Sequence, residues 1–347
     1  MGTDGHCPTP DRCDGYRAGR ATEPDTALRR TGTRLTEGGY SLAVPSLASR
    51  LIPLVIRATR RQRVFADPDR ARAFLDEAAV RPASYAPPRL RDDVRLSRAD
   101  RHGWPVYVLE PAGAPARGTV VYVHGGGWAK EISAPHWRLC AQVAAEARTR
   151  VLVPVYPLAG PVSATNRGTA AGVVAGVADL VRDEVAEHGP VCLAGDSAGG
   201  QIALSAAMEL RDRGVSRLPA TILISPALDL AMDNPDIDRV QPSDPWLARR
   251  GLRVFIDAWR AELPVDDPRV SPLCGDFTGL GPLTVFAATR DIVLPDVRLG
   301  VERARAAGVD VTYIEEQGLL HVHPLQPTPE GRAARETIVG VVRAAVR

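Results

Sequence analysis

Val191-Cys192-Leu193-Ala194-Gly195-Asp196-Ser197-Ala198-Gly199-Gly200 runs straight into Gln201-Ile202-Ala203-Leu204-Ser205-Ala206-Ala207-Met208-Glu209-Leu210. The apolar run before Gly195 reads as a buried strand, and the Ala-rich run after Gly200 as a helix. Between them lies G-x-S-x-G, the pattern of a sharp strand-to-helix turn that lifts a serine hydroxyl off the strand end. In so tight a turn, bulk two positions either side of the serine would clash, so Gly195 and Gly199 are steric requirements. The N–H of Ala198, opening the helix, is placed to face a developing oxyanion. Taken alone, the stretch is also compatible with an ordinary glycine-rich turn. Its strand and helix flanks favour the nucleophile elbow.

Working outward, strands and helices take turns. Strands are expected at Thr119–Val123, Val151–Val155, Ala220–Ser225, Leu283–Ala288 and Val309–Ile314. Helices are expected at Trp137–Ala147, Thr169–Val185, Leu247–Ala261, Val297–Ala307 and Ala333–Val346. Continuous apolar strands alternating with helices imply an α/β fold, a mostly parallel sheet covered on both faces. Ligands in such sheets bind beyond the carboxyl ends of the strands. Residues 92–110 alternate like an antiparallel hairpin turning near Asp100–Gly103. Residues 226–262 break the rhythm with four prolines and read as an insertion that contributes to a cap.

Residues 1–40 hold almost no large apolar side chains and read as a disordered tail. Residues 41–90 read as an N-terminal helical cap segment, and 91–347 as the main domain. Leu47, Leu51, Leu54, Val55 and Ala58 recur at helical spacing, with Pro53 interrupting. Asp67-Pro68 offers an N-cap and first-turn proline to a second helix carrying Phe74, Leu75 and Val80. These helices need somewhere to bury their apolar faces. Lying over the carboxyl end of the sheet as a cap is one answer, and packing on the outside is the other.

The net charge of +2 makes no electrostatic case for nucleic acid or an anionic membrane as partner. No run approaches the ~20 apolar residues of a spanning helix, and no secretory signal is visible. The cysteines, Cys7, Cys13, Cys140, Cys192 and Cys274, are odd in number and form no C-x-x-C pair. A reducing, cytoplasmic location is the simpler inference, with Cys140 and Cys192 as buried thiols.

His124-Gly125-Gly126-Gly127-Trp128 follows the Thr119–Val123 strand. Three glycines let backbone N–H groups face a ligand, which makes this loop the second oxyanion donor of a hydrolase. His124 reads as a loop-pinning residue. A serine nucleophile needs a histidine base, and the base needs a carboxylate, in the chain order Ser, Asp or Glu, His. Asp291 is the first carboxylate past the Leu283–Ala288 strand. Asp296 is the alternative, although a carboxylate at a helix N-terminus is favourable for capping alone. Two histidines follow, His321 and His323 in Gly318-Leu319-Leu320-His321-Val322-His323-Pro324. In an extended segment they point oppositely, and Pro324 would hold His323 extended, which favours His321 as the base. No metal-ligand or cofactor pattern is present, so neither is expected.

With these elements assembled, the chain resembles the hormone-sensitive lipase family of α/β-hydrolases. His124–Trp128 matches its HGGGW, Gly195–Gly200 its GDSAGG, and Ser225-Pro226-Ala227-Leu228-Asp229-Leu230 its S-P-x-x-D-L. Asp291 falls on its catalytic aspartate and Gly318…His321 on its G-x-x-H segment. The likeness runs from about residue 95 to 346, and its look is that of small bacterial carboxylesterases and lactone hydrolases. It implies an α/β-hydrolase fold with a helical cap, and a triad of Ser197, Asp291 and His321. It also implies oxyanion donors at Gly126, Gly127 and Ala198. The implied reaction is hydrolysis of a small-molecule ester or lactone without a cofactor; the chain is expected to be a monomer or homodimer. The sequence departs from the family at Tyr156-Pro157-Leu158, at Ala288, and at His323, where an aromatic residue is common. Trp128, Trp246 and His323 are candidates for the pocket wall, as are Phe255 and Trp259. An amide or formamide hydrolase keeps the same machinery. A binding protein on the same fold is the reading from another class, and the presence of His321 argues against it.

Overall fold

The computed structural model describes residues 40–41, 44–60, 62–164, 167–215 and 217–346. The expected tail, apart from Tyr40, lies outside the described residues, as do Cys7 and Cys13. In chain order the elements are β1 (Tyr40–Ser41), α1 (Leu47–Ala58), α2 (Arg63–Ala66), α3 (Pro68–Val80), β2 (Val94–Arg101) and β3 (Trp104–Pro111). There follow β4 (Thr119–Val123), α4 (Ala134–Ala147), β5 (Arg150–Pro154), α5 (Ala170–His188), β6 (Val191–Asp196) and α6 (Ala198–Asp212). The chain closes with β7 (Thr221–Ile224), α7 (Ile237–Val240), α8 (Arg249–Arg260), β8 (Leu283–Arg290), α9 (Leu294–Ala306), β9 (Val311–Leu320) and α10 (Pro329–Ala345).

The strands form one sheet in the order β1-β9-β8-β7-β6-β4-β5-β3-β2. Every pairing from β1 to β5 along that order is parallel, and the β2–β3 hairpin joins β5 antiparallel. The central strands are apolar on both faces because both faces are covered. Val121, Val123, Leu193 and Leu223 pack toward α5, α6 and α9. Their neighbours Val120, Tyr122, Cys192, Ile222 and Ile224 pack toward α4 and α10. Cys140 and Cys192 are buried free thiols.

Several boundaries differ from the sequence reading for local reasons. Helix α4 begins a turn early because Ser133 and His136 form a reciprocal capping box. Helix α9 also starts early, at Leu294, with Pro295 in its first turn. Strand β9 continues to Leu320 instead of ending at Ile314, and Gly318, at φ +72°, lies within it. Thr169, Thr328 and Asp67 cap α5, α10 and α3 with their side chains.

The N-terminal helices behave unequally. Phe65 of α2 and Phe74 of α3 meet Phe255 of α8 edge-on at 5.7 and 5.9 Å. Together α2, α3 and α8 lay a helical layer beside the carboxyl ends of the strands. Helix α1 does not bury its apolar stripe: Leu47, Leu51, Leu54 and Val55 are exposed, while Ser49, Pro53 and Ile56 face the protein. The expectation that this stripe is buried is therefore wrong for α1.

Candidate active site

Parallel strands deliver their loops to one edge of the sheet. Ser197 leaves β6 with φ 53° and ψ −120°, a conformation few L-residues adopt. The turn holds because its neighbours are hydrogen atoms instead of side chains. A Cβ on Gly199 would come within 2.1 Å of the Val123 carbonyl oxygen, and one on Gly195 within 2.3 Å of the Gly199 carbonyl oxygen.

Three residues far apart in sequence meet there. His321 Nε2 lies 2.8 Å from Ser197 Oγ, and His321 Nδ1 lies 2.8 Å from Asp291 Oδ2. Asp291 and His321 are both buried. Burial alone would lower the pKa of His321. The charge and hydrogen bond of Asp291, with Asp244 and Asp196 adding, outweigh it and leave the pKa above the usual histidine value. The histidine loop is pinned from two sides. The Val322 N–H donates to Ser225 Oγ (3.1 Å), and Gln326 Nε2 donates to the His321 carbonyl (3.1 Å).

The other candidates separate cleanly. Asp296 stands in the first turn of α9 and accepts from Asn234 Nδ2 at 2.7 Å. His323 opens a short 3₁₀ helix, His323–Leu325, after Val322 at φ 49°. The segment is thus not extended, and Pro324 does not hold His323 extended; the left-handed turn at Val322 is what separates the two rings. His323 is buried against Phe286, with neither ring nitrogen hydrogen-bonded among the described residues, and lies outside the pocket wall expected for it. Burial lowers its pKa to about 4.

The glycine loop is tied to the elbow by Asp196. This buried carboxylate accepts from Tyr122 Oη (2.6 Å) and the Gly125 N–H (2.9 Å) and lies 3.4 Å from His136 Nε2. Burial opposes its charge, but these partners prevail and hold its pKa below the usual carboxylate value. Gly126 and Gly127 have φ +132° and +61°. The turn's own hydrogen bonds run from the Ala129 and Lys130 N–H groups back to the Gly126 carbonyl. His124 is buried, stacked on Tyr156, with Nδ1 2.7 Å from the Gly125 carbonyl oxygen; burial and the neighbouring His136 lower its pKa to about 4.

A cavity of about 250 Å³ opens over Ser197 and His321, walled by Phe65, Trp128, Trp246, Leu252 and Ile256. Phe255 and Trp259 are instead fully buried behind it. A wider groove beside α3 shares Lys130, Glu131 and Ser133 with this cavity. Burial raises Glu131 to about 7.

Two residues the sequence reading did not single out organise the surroundings. Gln201 Oε1 accepts from Trp128 Nε1 (2.9 Å) and Trp259 Nε1 (3.1 Å), while its amide donates to Ser205 Oγ and the Arg269 carbonyl. Asp244 accepts from the N–H groups of Trp246, Leu247 and Ile292. It thereby joins the inserted segment to the Asp291 loop and sets Trp246 edge-on to His321 at 6.0 Å. Burial, with the Asp291 charge alongside, pushes Asp244 up to about 6. Gln201 is a polar residue at the head of an apolar helical run, whereas Asp244 stands in the polar stretch Gln241-Pro242-Ser243-Asp244-Pro245, where nothing marks it out. Among the described residues, Glu184, Glu187 and His188 bring potential metal-ligand atoms together. Arg150 Nη1 already occupies Glu184 Oε2 at 2.6 Å, so this cluster is an ion-pair network.

A family model described as alpha/beta hydrolase fold matches residues 120–325, the span that holds the glycine loop, the elbow, Asp291 and His321. The chain belongs to this alpha/beta hydrolase family. An acetyl-hydrolase of Streptomyces hygroscopicus is 31% identical to it over 243 residues, covering 68% of this chain and 79% of that relative. A triacylglycerol lipase of Mycobacterium tuberculosis is 30% identical over 270 residues; the match covers 75% of this chain but only 55% of that relative's length. The crystal structure of an esterase from the bacterial hormone-sensitive lipase family superimposes with a TM-score of 0.72 at 25% identity, covering 88% of this chain and 100% of that one. The resemblance to that family read from the motifs is borne out. Among the described residues, no helix of this hydrolase is long and apolar enough to cross a membrane.

Proposed function

We propose that this hydrolase cleaves carboxylic esters of small to medium acyl groups through an acyl-enzyme, with Ser197 as nucleophile, His321 as base and Asp291 as its orienting carboxylate. The observation that carries this reading is the unbroken Asp291–His321–Ser197 hydrogen-bonded chain at the floor of an apolar cavity. His321 Nε2 takes the Ser197 proton as Oγ bonds to the acyl carbon, and the carbonyl oxygen becomes an oxyanion facing the N–H groups of Gly126, Gly127 and Ala198. The proton passes from His321 to the departing alcohol as the ester C–O bond breaks. Water then attacks the acyl-Ser197 bond by the same route, releasing the acid and restoring the serine. Asp291 holds His321 in the tautomer with its proton on Nδ1 and stabilises the charged form between steps. The names of the relatives, acetyl-hydrolase and esterase among them, support ester cleavage as the reaction class. We further propose that α2, α3 and the segment between β7 and β8 act as the cap.

A cavity of about 250 Å³ suits short acyl chains. Turnover of p-nitrophenyl esters should therefore be highest from acetate to butyrate and fall steeply toward laurate. Preference for a lactone or an anilide over every ester in the series would transfer the machinery to that bond instead.

The pH profile follows from the same geometry. His321 must be neutral at Nε2 to accept the serine proton, so kcat/KM should fall on acidification through a pKa above about 6.5. Its raised pKa works oppositely on stability, contributing most below about pH 6.5 and losing that contribution as pH rises through the folded-state value. His124 and His323 are depressed to about 4, so their share of stability is present above about pH 6.5 and lost as pH falls toward 4. Melting temperatures taken at each pH separate the two effects. A flat rate profile with chemistry rate-limiting would rule out a histidine base.

A further inference from the structure

Helix α1 is mounted inside out. At 3.6 residues per turn, Leu47, Leu51, Leu54 and Val55 lie on one face, and that face is the exposed one, at 75%, 56%, 56% and 54%. Val44, just before the helix, extends the stripe at 72% exposure. The opposite face is fastened to the body: the Ser46 N–H and the Ser46 and Ser49 hydroxyls all donate to the Glu330 carboxylate at the start of α10. A soluble surface helix normally turns its aliphatic stripe to the core and its serines to water.

Charge sharpens the anomaly. The whole chain is near neutral, but residues 44–66 hold Arg50, Arg57, Arg60, Arg61 and Arg63 and no acidic residue. Arg50, Arg57, Arg60 and Arg63 are exposed. Arg70 and Arg72, just beyond, pair with Asp67 and Asp69; those four arginines form no ion pair among the described residues. Arg50 and Arg57 are two turns apart and so flank the stripe on the same side, where a long cationic side chain can cover apolar surface and keep its head in a polar layer.

We propose that α1 docks this hydrolase on an anionic lipid surface, with the Leu47–Val55 stripe entering the acyl boundary and the arginines meeting lipid phosphates. An aliphatic face rimmed by cations, without a counter-charge, is the composition that lies in a membrane interface. A second copy of the chain is the poorer fit. Symmetric pairing of α1 with itself would set arginines against arginines, with no acid in residues 44–66 to answer them. The placement also suits the chemistry. Pro45 packs at Gly318, and Glu330 follows the histidine loop, so α1 sits on the edge of the sheet that carries the site. None of its residues lines the cavity.

The test is co-sedimentation of the full chain with two vesicles, one of pure phosphatidylcholine and one carrying about a third phosphatidylglycerol. Binding is expected to the anionic vesicle, on the order of tenfold or more tighter than to the neutral one, and to be released by salt. Leu51→Glu with Leu54→Glu should abolish it, and Arg50→Gln with Arg57→Gln should weaken it on the order of tenfold. Both variants should keep the parent melting temperature and turnover of a water-soluble ester. The readout does not depend on the ester reading, so the two can fail separately. No binding to either vesicle by a monomeric chain would assign the face to the chain's own remaining residues and overturn the proposal. A dimer in light scattering that the leucine variant dissolves would overturn it in favour of self-association. Retained vesicle binding by the leucine variant would reduce it to adsorption by charge, and also overturn it.

Discussion

Ser197→Ala is expected to lower ester turnover by on the order of 10⁴-fold or more, about 5.5 kcal/mol of transition-state stabilisation, with the fold intact. The loss should be large because, in the proposed mechanism, Oγ forms the covalent intermediate, and no other hydroxyl among the described residues is hydrogen-bonded to His321. The fold should survive because the elbow's shape comes from Gly195 and Gly199, whose places no side chain could take, and not from the serine hydroxyl. Alanine keeps the Cβ at the strained position. What remains of the rate should be the share supplied by the oxyanion donors and by binding alone. A serine-directed phosphonate should label the parent once, at Ser197, and leave the variant unlabelled. Labelling elsewhere, or robust turnover by the alanine variant, would refute the mechanism.

The second large effect concerns the two histidines. His321→Ala should cost as much in kcat as Ser197→Ala, and the double variant should be no slower than either, because the pair acts as a unit. His323→Phe should keep most of the activity. Its ring lies 6.4 Å from Phe286, behind the loop, with both nitrogens buried and unpartnered. Phenylalanine therefore removes two unsatisfied polar atoms and places an apolar ring in an apolar site. The melting temperature of His323→Phe should be unchanged or higher, and its fall on acidification shallower, since one group that resists protonation when folded is gone. Reversed outcomes, with His323→Phe inactive and His321→Ala active, would show that the base has been assigned to the wrong ring.

What could be read from the sequence alone was whatever a few adjacent residues dictate. The glycines around Ser197 announce a turn that only glycine permits, and in the structure a Cβ added to Gly199 or Gly195 would come within 2.1 or 2.3 Å of a carbonyl oxygen. Asp67-Pro68 announces a helix start, and Asp67 caps it through the Asp69 and Arg70 N–H groups. Apolar runs alternating with helices announce a parallel sheet, since only strands covered on both faces are apolar throughout. The order Ser, Asp, His along the chain was enough to nominate the residues that meet at 2.8 Å. His321 and His323 are not separated by an extended segment, although their spacing and Pro324 imply one. A left-handed Val322, not an extended strand, turns one ring to the serine and the other to Phe286.

Tertiary structure decided everything whose cause lies in a distant partner. Gln201 matters because Trp128 and Trp259, 73 and 58 residues away, both need an acceptor in the core. Asp244 matters because the Asp291 loop, 48 residues on, offers it the Ile292 N–H. Periodicity marks which face of α1 is apolar, but not which way that face is turned. A carboxylate at position 330 captures Ser46 and Ser49 and turns the aliphatic stripe outward. A stripe's position on a helix is a property of neighbours in sequence, whereas its orientation is set by whatever the fold places against the other side.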